Sequence, residues 1–137
     1  MQLLLVLFLT ALTSALNATR SGALYVAEID GENTDLDLRV THNGVVAGFG
    51  LSKFIFSNNT VKLSETDQYI KVGKDGLLVM AVDPDFGFDL NNEVNSSFVI
   101  RLTYHGKDEF QLCGDNLIGF ESECGGERPI CINFEDI

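Results

Sequence analysis

Leu36-Asp-Leu-Arg-Val-Thr-His-Asn-Gly44 is the stretch that decides the fold. Leu36, Leu38 and Val40 fall on one side of an extended chain, with Asp37 and Arg39 on the other. Successive side chains of a strand point to opposite faces, so this period of two predicts a half-buried strand. Asn43-Gly44 then supplies a strong hairpin signal, because both residues tolerate a positive φ. The alternation continues outward in both directions. Ala23–Ile29 precedes it, and Leu51–Phe56, Thr60–Leu63 and Tyr69–Val72 follow. Asp75-Gly76 marks a second hairpin turn, leading into Leu77–Val82, a run apolar on both faces and so expected as a central, buried strand. Phe86–Leu90, Ser97–Tyr104, Phe110–Cys113, Leu117–Phe120 and Ile130–Phe134 complete the set. No stretch of about twelve residues keeps a helical period. About ten short strands, with turn residues roughly every 8 to 12 positions, predict an all-β chain: a single antiparallel β-sandwich or barrel domain. The alternative is a β-trefoil, which needs three similar units of about forty residues; no internal repeat aligns in the sequence.

A chain of 137 residues is one domain at most. With 45% hydrophobic and 21% charged residues it is globular rather than disordered. Nine basic against 20 acidic residues leave a net charge of −11. Phosphate binding needs clustered Lys and Arg, so nucleic acid and anionic membranes are not expected as partners.

The first fifteen residues differ from the rest. Leu3–Leu12 is apolar apart from Thr10, too short to span a bilayer but suited to the apolar region of a secretory signal. Thr13-Ser-Ala15 offers small residues before a cleavage point, so residues 1–15 are expected as a signal peptide and 16–137 as a single secreted domain. No later segment is long and apolar enough for a membrane helix, and no lipid-anchor signal is expected at the C-terminus. Asn17-Ala-Thr19, Asn58-Asn-Thr60 and Asn95-Ser-Ser97 are glycosylation sequons, which a eukaryotic secretory route would use.

Three cysteines, Cys113, Cys124 and Cys131, lie near the C-terminus. In a secreted chain a bridge is the default. Cys113 ends a strand, Cys124 sits in Glu-Cys-Gly-Gly, and Cys131 alternates with Ile130 and Ile132. Cys113–Cys124 is therefore the favoured pair among three, closing a loop worth about 3 kcal/mol in the chain-entropy model. Cys131 is then left outside the bridge, packed as a small hydrophobe or linked to another chain.

Acidic residues cluster at Asp30, Glu32, Asp35 and Asp37, and again at Asp83, Asp85 and Asp89. The second loop is the better calcium candidate, since calcium takes several carboxylate oxygens on a bent loop. Neither has the EF-hand order. A Ser-His-Asp hydrolase would have only His42 or His105 as base, without a nucleophile elbow, and Tyr104-His-Gly-Lys107 reads as a hairpin turn. No enzyme and no cofactor are expected. Tyr25, Tyr69 and Tyr104 are the candidate ligand contacts, because sugar faces stack on aromatic rings and the chain has no Trp.

Leu102-Thr-Tyr-His-Gly106, then Phe110-Gln-Leu-Cys113, then Cys124 and a closing apolar strand follow in order. This succession resembles the C-terminal part of the globular domain in small yeast cell-wall mannoproteins. The resemblance implies a secreted, glycosylated wall protein; the Ser/Thr-rich stalk and anchor tail of that family are not present here. The expected function is that of a secreted acidic glycoprotein of the cell surface or wall, structural or adhesive, with wall polysaccharide or wall protein as partner. A lectin-like binding module and a secreted effector or toxin are the alternatives.

Overall fold

The computed structural model describes residues 19–92 and 99–137. The expected signal peptide and the sequons at Asn17 and Asn95 lie outside these residues. Twelve strands follow one another: β1 (Arg20–Ile29), β2 (Glu32–Thr41), β3 (Gly44–Gly48), β4 (Phe54–Ser57), β5 (Thr60–Leu63), β6 (Tyr69–Val72), β7 (Leu78–Ala81), β8 (Phe88–Asn92), β9 (Ile100–Tyr104), β10 (Phe110–Leu112), β11 (Ile118–Gly119) and β12 (Arg128–Asp136). They form one antiparallel sheet, and no helix occurs among the described residues. The all-β antiparallel expectation is met.

Six strands make a ring. β1 pairs with β4 and β12, β4 with β5, β8 with β9, and β9 with β12. The sheet is open along the seam between β5 and β8. There the Phe88 N–H donates to the Asn59 carbonyl at 3.3 Å, and Asn59 Nδ2 donates to the Phe88 carbonyl at 3.0 Å. The other six strands form three hairpins, β2–β3, β6–β7 and β10–β11. These hairpins meet: Val46 bridges Leu117, Leu77 bridges Gly119, and Phe120 N–H donates to the Gly76 carbonyl at 2.7 Å. Gly44 rests against the Leu78 carbonyl, where a Cβ would come within 2.8 Å. Within the expected class, this ring with three hairpins has the strand order of a β-trefoil, with β1–β4, β5–β8 and β9–β12 as its units.

The repeat that the sequence hides is a turn. Asn43-Gly44-Val-Val, Asp75-Gly76-Leu-Leu and Asp115-Asn116-Leu-Ile each open the second strand of a hairpin. Their second residues have φ of 127°, 85° and 69°. In two units the bonding is identical. Gly73 N–H reaches Leu77 O (2.8 Å) and Gly76 N–H reaches Gly73 O (3.0 Å), just as Cys113 N–H reaches Leu117 O (2.9 Å) and Asn116 N–H reaches Cys113 O (2.9 Å). The Asp75 and Asp115 carboxylates accept from the backbone two residues on, at 3.1 and 3.2 Å, which is the Asx-turn habit of this side chain.

Three strand expectations are corrected. Asn43-Gly44 leads directly into β3, which the alternation count passed over, and Leu51 is an exposed loop residue. Leu77–Val82 is not a central strand: β7 has β6 as its sole ladder neighbour, and Val82 is exposed. Its apolar character serves the junction of hairpins instead of two covered sheet faces. Phe86 precedes β8 and belongs to the loop before it.

The core lies inside the ring and under the hairpins. Leu24, Val26, Phe54, Phe88, Leu102 and Ile132 fill the ring, and Leu38, Val45, Ile70, Leu78, Phe110 and Ile118 close it from the hairpin side, all fully buried. Each such side chain contributes about 1.5–3 kcal/mol by leaving water. The Cys113–Cys124 disulfide, the pair favoured from the sequence, ties the start of the β10–β11 turn to the loop before β12. Cys131 is half-buried on β12, opposite Glu28 of β1.

Candidate functional site

Asp83 and Asp85 lie in the loop joining β7 to β8, and Asp89 lies on β8; the three carboxylates do not converge. Among the described residues no group of three His, Cys, Asp or Glu is placed to hold a metal ion, so Asp83, Asp85 and Asp89, the possible calcium ligands, are not brought together. Asp85 is turned inward. Its oxygens accept the Val72 N–H (3.1 Å), the Gly87 N–H (3.1 Å) and the Tyr104 hydroxyl (2.9 and 3.2 Å). Asp89 Oδ1 accepts from the Leu90 N–H at 2.9 Å. Asp83 is exposed. Asp85 is thus a clamp on the loop, linking it to β6 and to β9.

Tyr104 is turned toward the core. It is buried against Phe88 and Phe120, with ring centroids 4.8 and 4.9 Å away. Burial first, and then the hydrogen bond to Asp85, push its phenol up to about 12. Gly87 makes the approach feasible, since a Cβ there would lie 2.5 Å from the Tyr104 ring. Tyr25 is half-buried, and its hydroxyl accepts from Asn133 Nδ2 at 3.5 Å. His105 and Gly106 form the expected two-residue turn, with φ of 49° and 79° and paired Tyr104–Lys107 backbone bonds of 2.9 and 3.0 Å. His42 lies in the β2–β3 turn.

Of the predicted tyrosines, Tyr69 lines one cleft and Tyr104 the edge of another. Ile55, Lys62 and Tyr69 stand directly opposite one another across β4, β5 and β6. Phe54, Val61 and Ile70 alternate with them and are buried, so the row faces outward. The loop held by Asp85 then lays Pro84 and Phe86 along the same face. The result is a cleft of about 450 Å³ walled by Tyr69, Phe86, Pro84 and Ile55, with Lys62 and Asn58 among its polar groups. Phe86 is 66% exposed, a large apolar ring that folding leaves in water. Among the described residues the Tyr69 hydroxyl, the Lys62 ammonium and the Asn58 amide make no hydrogen bond. The cleft therefore offers ring faces together with uncommitted polar groups. Phe86 and Lys62 were not singled out from the sequence.

A wider cleft of about 710 Å³ lies where the hairpins meet, between the Lys74-Asp75 turn, His105 and Glu121–Glu123. Asp75, Glu121 and Ser122 are paired there, whereas the Lys74, His105 and Glu123 side chains make no hydrogen bond among the described residues. Lys107 bonds Glu121 at 2.6 Å, which raises the lysine pKa. Ser122 Oγ donates to the Asp75 carbonyl at 2.9 Å, and its N–H donates to Gln111 Oε1 at 2.7 Å.

Asn58 occupies the tip of the β4–β5 hairpin. Asn58 and Asn59 have φ of 52° and 64°, a two-residue turn of the kind that matches strand twist. Asn58 is exposed, whereas Asn59 is held to Phe88 across the seam. Among the described residues no helix is long and apolar enough to cross a membrane. Comparison with protein-family models, with curated proteins and with solved structures gives no match for this chain.

Proposed function

We propose that the protein is a secreted acidic glycoprotein of the cell surface or wall that adheres by holding carbohydrate in the Tyr69/Phe86 cleft, without transforming it. The observation that carries this reading is the convergence of two rings and unpaired polar groups in one shallow cleft. A pyranose has an apolar face that covers an aromatic ring, and hydroxyls at its rim that need donors and acceptors. The cleft volume of about 450 Å³ lies in the range of small-molecule sites. Secretion is supported by the leader-like residues 1–15, by the sequons and by the disulfide, which persists in oxidising compartments. Association with a wall is supported by the likeness of the Leu102–Cys113 stretch to the wall mannoproteins. The net charge of −11 favours solubility and disfavours self-association, which suits a protein that must diffuse to its surface.

The test is co-sedimentation with insoluble wall polysaccharides, together with an array of soluble glycans, for protein with Asn58 unoccupied, with and without Phe86→Ala. Phe86 is largely exposed, so its removal leaves the core untouched. Saturable binding to one sugar class, weakened about tenfold by the substitution, is expected from the loss of one stacked ring. Absence of binding to every sugar, or equal binding by both proteins, contradicts the reading.

A further inference from the structure

We infer that the N-glycan on Asn58 folds back into the Tyr69/Phe86 cleft and gates it, its first N-acetylglucosamine covering Phe86. The gating rests on the carbohydrate reading above; the seating of the sugar does not. Two independent observations meet here. The one sequon within the described residues has its asparagine exposed at a hairpin tip, with its amide uncommitted, and that asparagine lines the cleft. The same cleft carries an aromatic ring that is 66% exposed although its loop is fixed by Asp85. The Phe86 ring, on a loop tied down by Asp85, presents an apolar face at the cleft that a sugar ring can cover. An N-acetylglucosamine supplies that cover, through its ring face and its acetyl methyl, and it is attached at the cleft's edge with no association entropy to overcome. Such an intramolecular ligand has a high effective concentration and excludes a weak external one.

The covalent step is a glycosyl transfer from a lipid-pyrophosphate-linked oligosaccharide in the secretory pathway. A bond forms between Asn58 Nδ2 and the sugar C1, and the bond from C1 to the pyrophosphate oxygen breaks. The lipid pyrophosphate leaves with that electron pair, and the amide gives up one proton. Thr60 completes the sequon; it is buried, with its Oγ1 donating to the Ser57 carbonyl at 2.6 Å. Transfer before the β4–β5 hairpin closes meets no such obstacle, and afterwards Asn58 remains outside.

The test uses full-length secreted protein carrying Asn17→Gln and Asn95→Gln, so that Asn58 is the sole acceptor. Peptide mass spectrometry reads its occupancy. An endoglycosidase then trims the chain to one N-acetylglucosamine. Nuclear Overhauser contacts between the acetyl methyl and the Phe86 ring are expected, and Phe86→Ala should free the sugar, with averaged shifts. Binding of wall polysaccharide should be at least tenfold tighter for protein whose Asn58 is unoccupied than for the glycosylated form. An unoccupied Asn58, or a trimmed sugar with free-sugar shifts and no ring contact, overturns the inference. A seated sugar with no external binding in either form removes the carbohydrate reading and the gating while keeping the seat. External binding unaffected by glycosylation, with the sugar unseated, does the reverse.

Discussion

Replacing Tyr104 by Phe removes a hydroxyl and keeps the ring, so it isolates the bond that clamps the Phe86 loop. That hydroxyl donates to a carboxylate, 2.9 Å from its nearer oxygen. A hydrogen bond to a charged partner contributes about 2 kcal/mol, so Tyr104→Phe should be less stable than wild type by about that amount at neutral pH. The difference must depend on pH in a defined way. Folded Tyr104 ionises near 12, whereas an unfolded tyrosine ionises near 10. The folded value is the higher, so its contribution is complete below about pH 10 and is lost as pH rises toward 12. The advantage of wild type over Tyr104→Phe should therefore hold up to about pH 10 and vanish by about pH 12. Urea unfolding at a series of pH values measures it, and effects of Lys and Arg titration cancel in the difference. In a Tyr25→Phe/Tyr69→Phe background, ultraviolet tyrosinate absorbance reads Tyr104 alone. Asp85→Asn should lower that titration midpoint without returning it to the ordinary value, because burial, the largest cause, remains. A Tyr104 midpoint near 10, or a stability difference independent of pH, would refute the clamp.

Three further outcomes follow from the packing. Cys113→Ala/Cys124→Ala should lose about 3 kcal/mol, since the bridged residues are 11 apart in sequence and the chain-entropy term is modest for so short a loop; thermal and urea melts check it. Gly76→Ala should destabilise well beyond Gly31→Ala. Both have positive φ, but a Cβ at 76 would lie 2.7 Å from the Phe120 carbonyl, whereas nothing lies within 4 Å of one at 31. Leu38→Ala should cost about 2–5 kcal/mol because Leu38 is fully buried under the hairpins, while Phe49→Ser, at 94% exposure, should stay within about 0.5 kcal/mol.

Period two and Asx-Gly turns were enough to read the all-β class and most strands, and the local settings of the three cysteines were enough to favour the disulfide, since each of these is decided by near neighbours in sequence. The three-unit plan was not legible. Its shared feature is a four-residue turn at 43–46, 75–78 and 115–118, unevenly spaced, with Asn116 standing where the other units have Gly. Only the pairing of distant strands reveals it. Leu77–Val82 misled because an apolar run is compatible both with a strand covered on two faces and with a hairpin packed at a junction. Asp85 misled differently. An acid-rich loop resembles a cation site in sequence, and whether its carboxylate faces solvent or backbone donors depends on where β6 and Tyr104 come to lie. Tyr69 was legible as a polar aromatic on a strand, but its partner Phe86 was not, because the sequence placed Phe86 inside a strand and folding put it in the pinned loop.

Amide and aromatic shift mapping during titration with soluble fragments of wall polysaccharide tests the central claim most directly. The account predicts saturable shifts concentrated at Ser57–Lys62, Tyr69 and Phe86, moved to about tenfold higher ligand concentration in Phe86→Ala. Shifts gathered instead around Lys74, His105 and Glu121, or none at all, would contradict it.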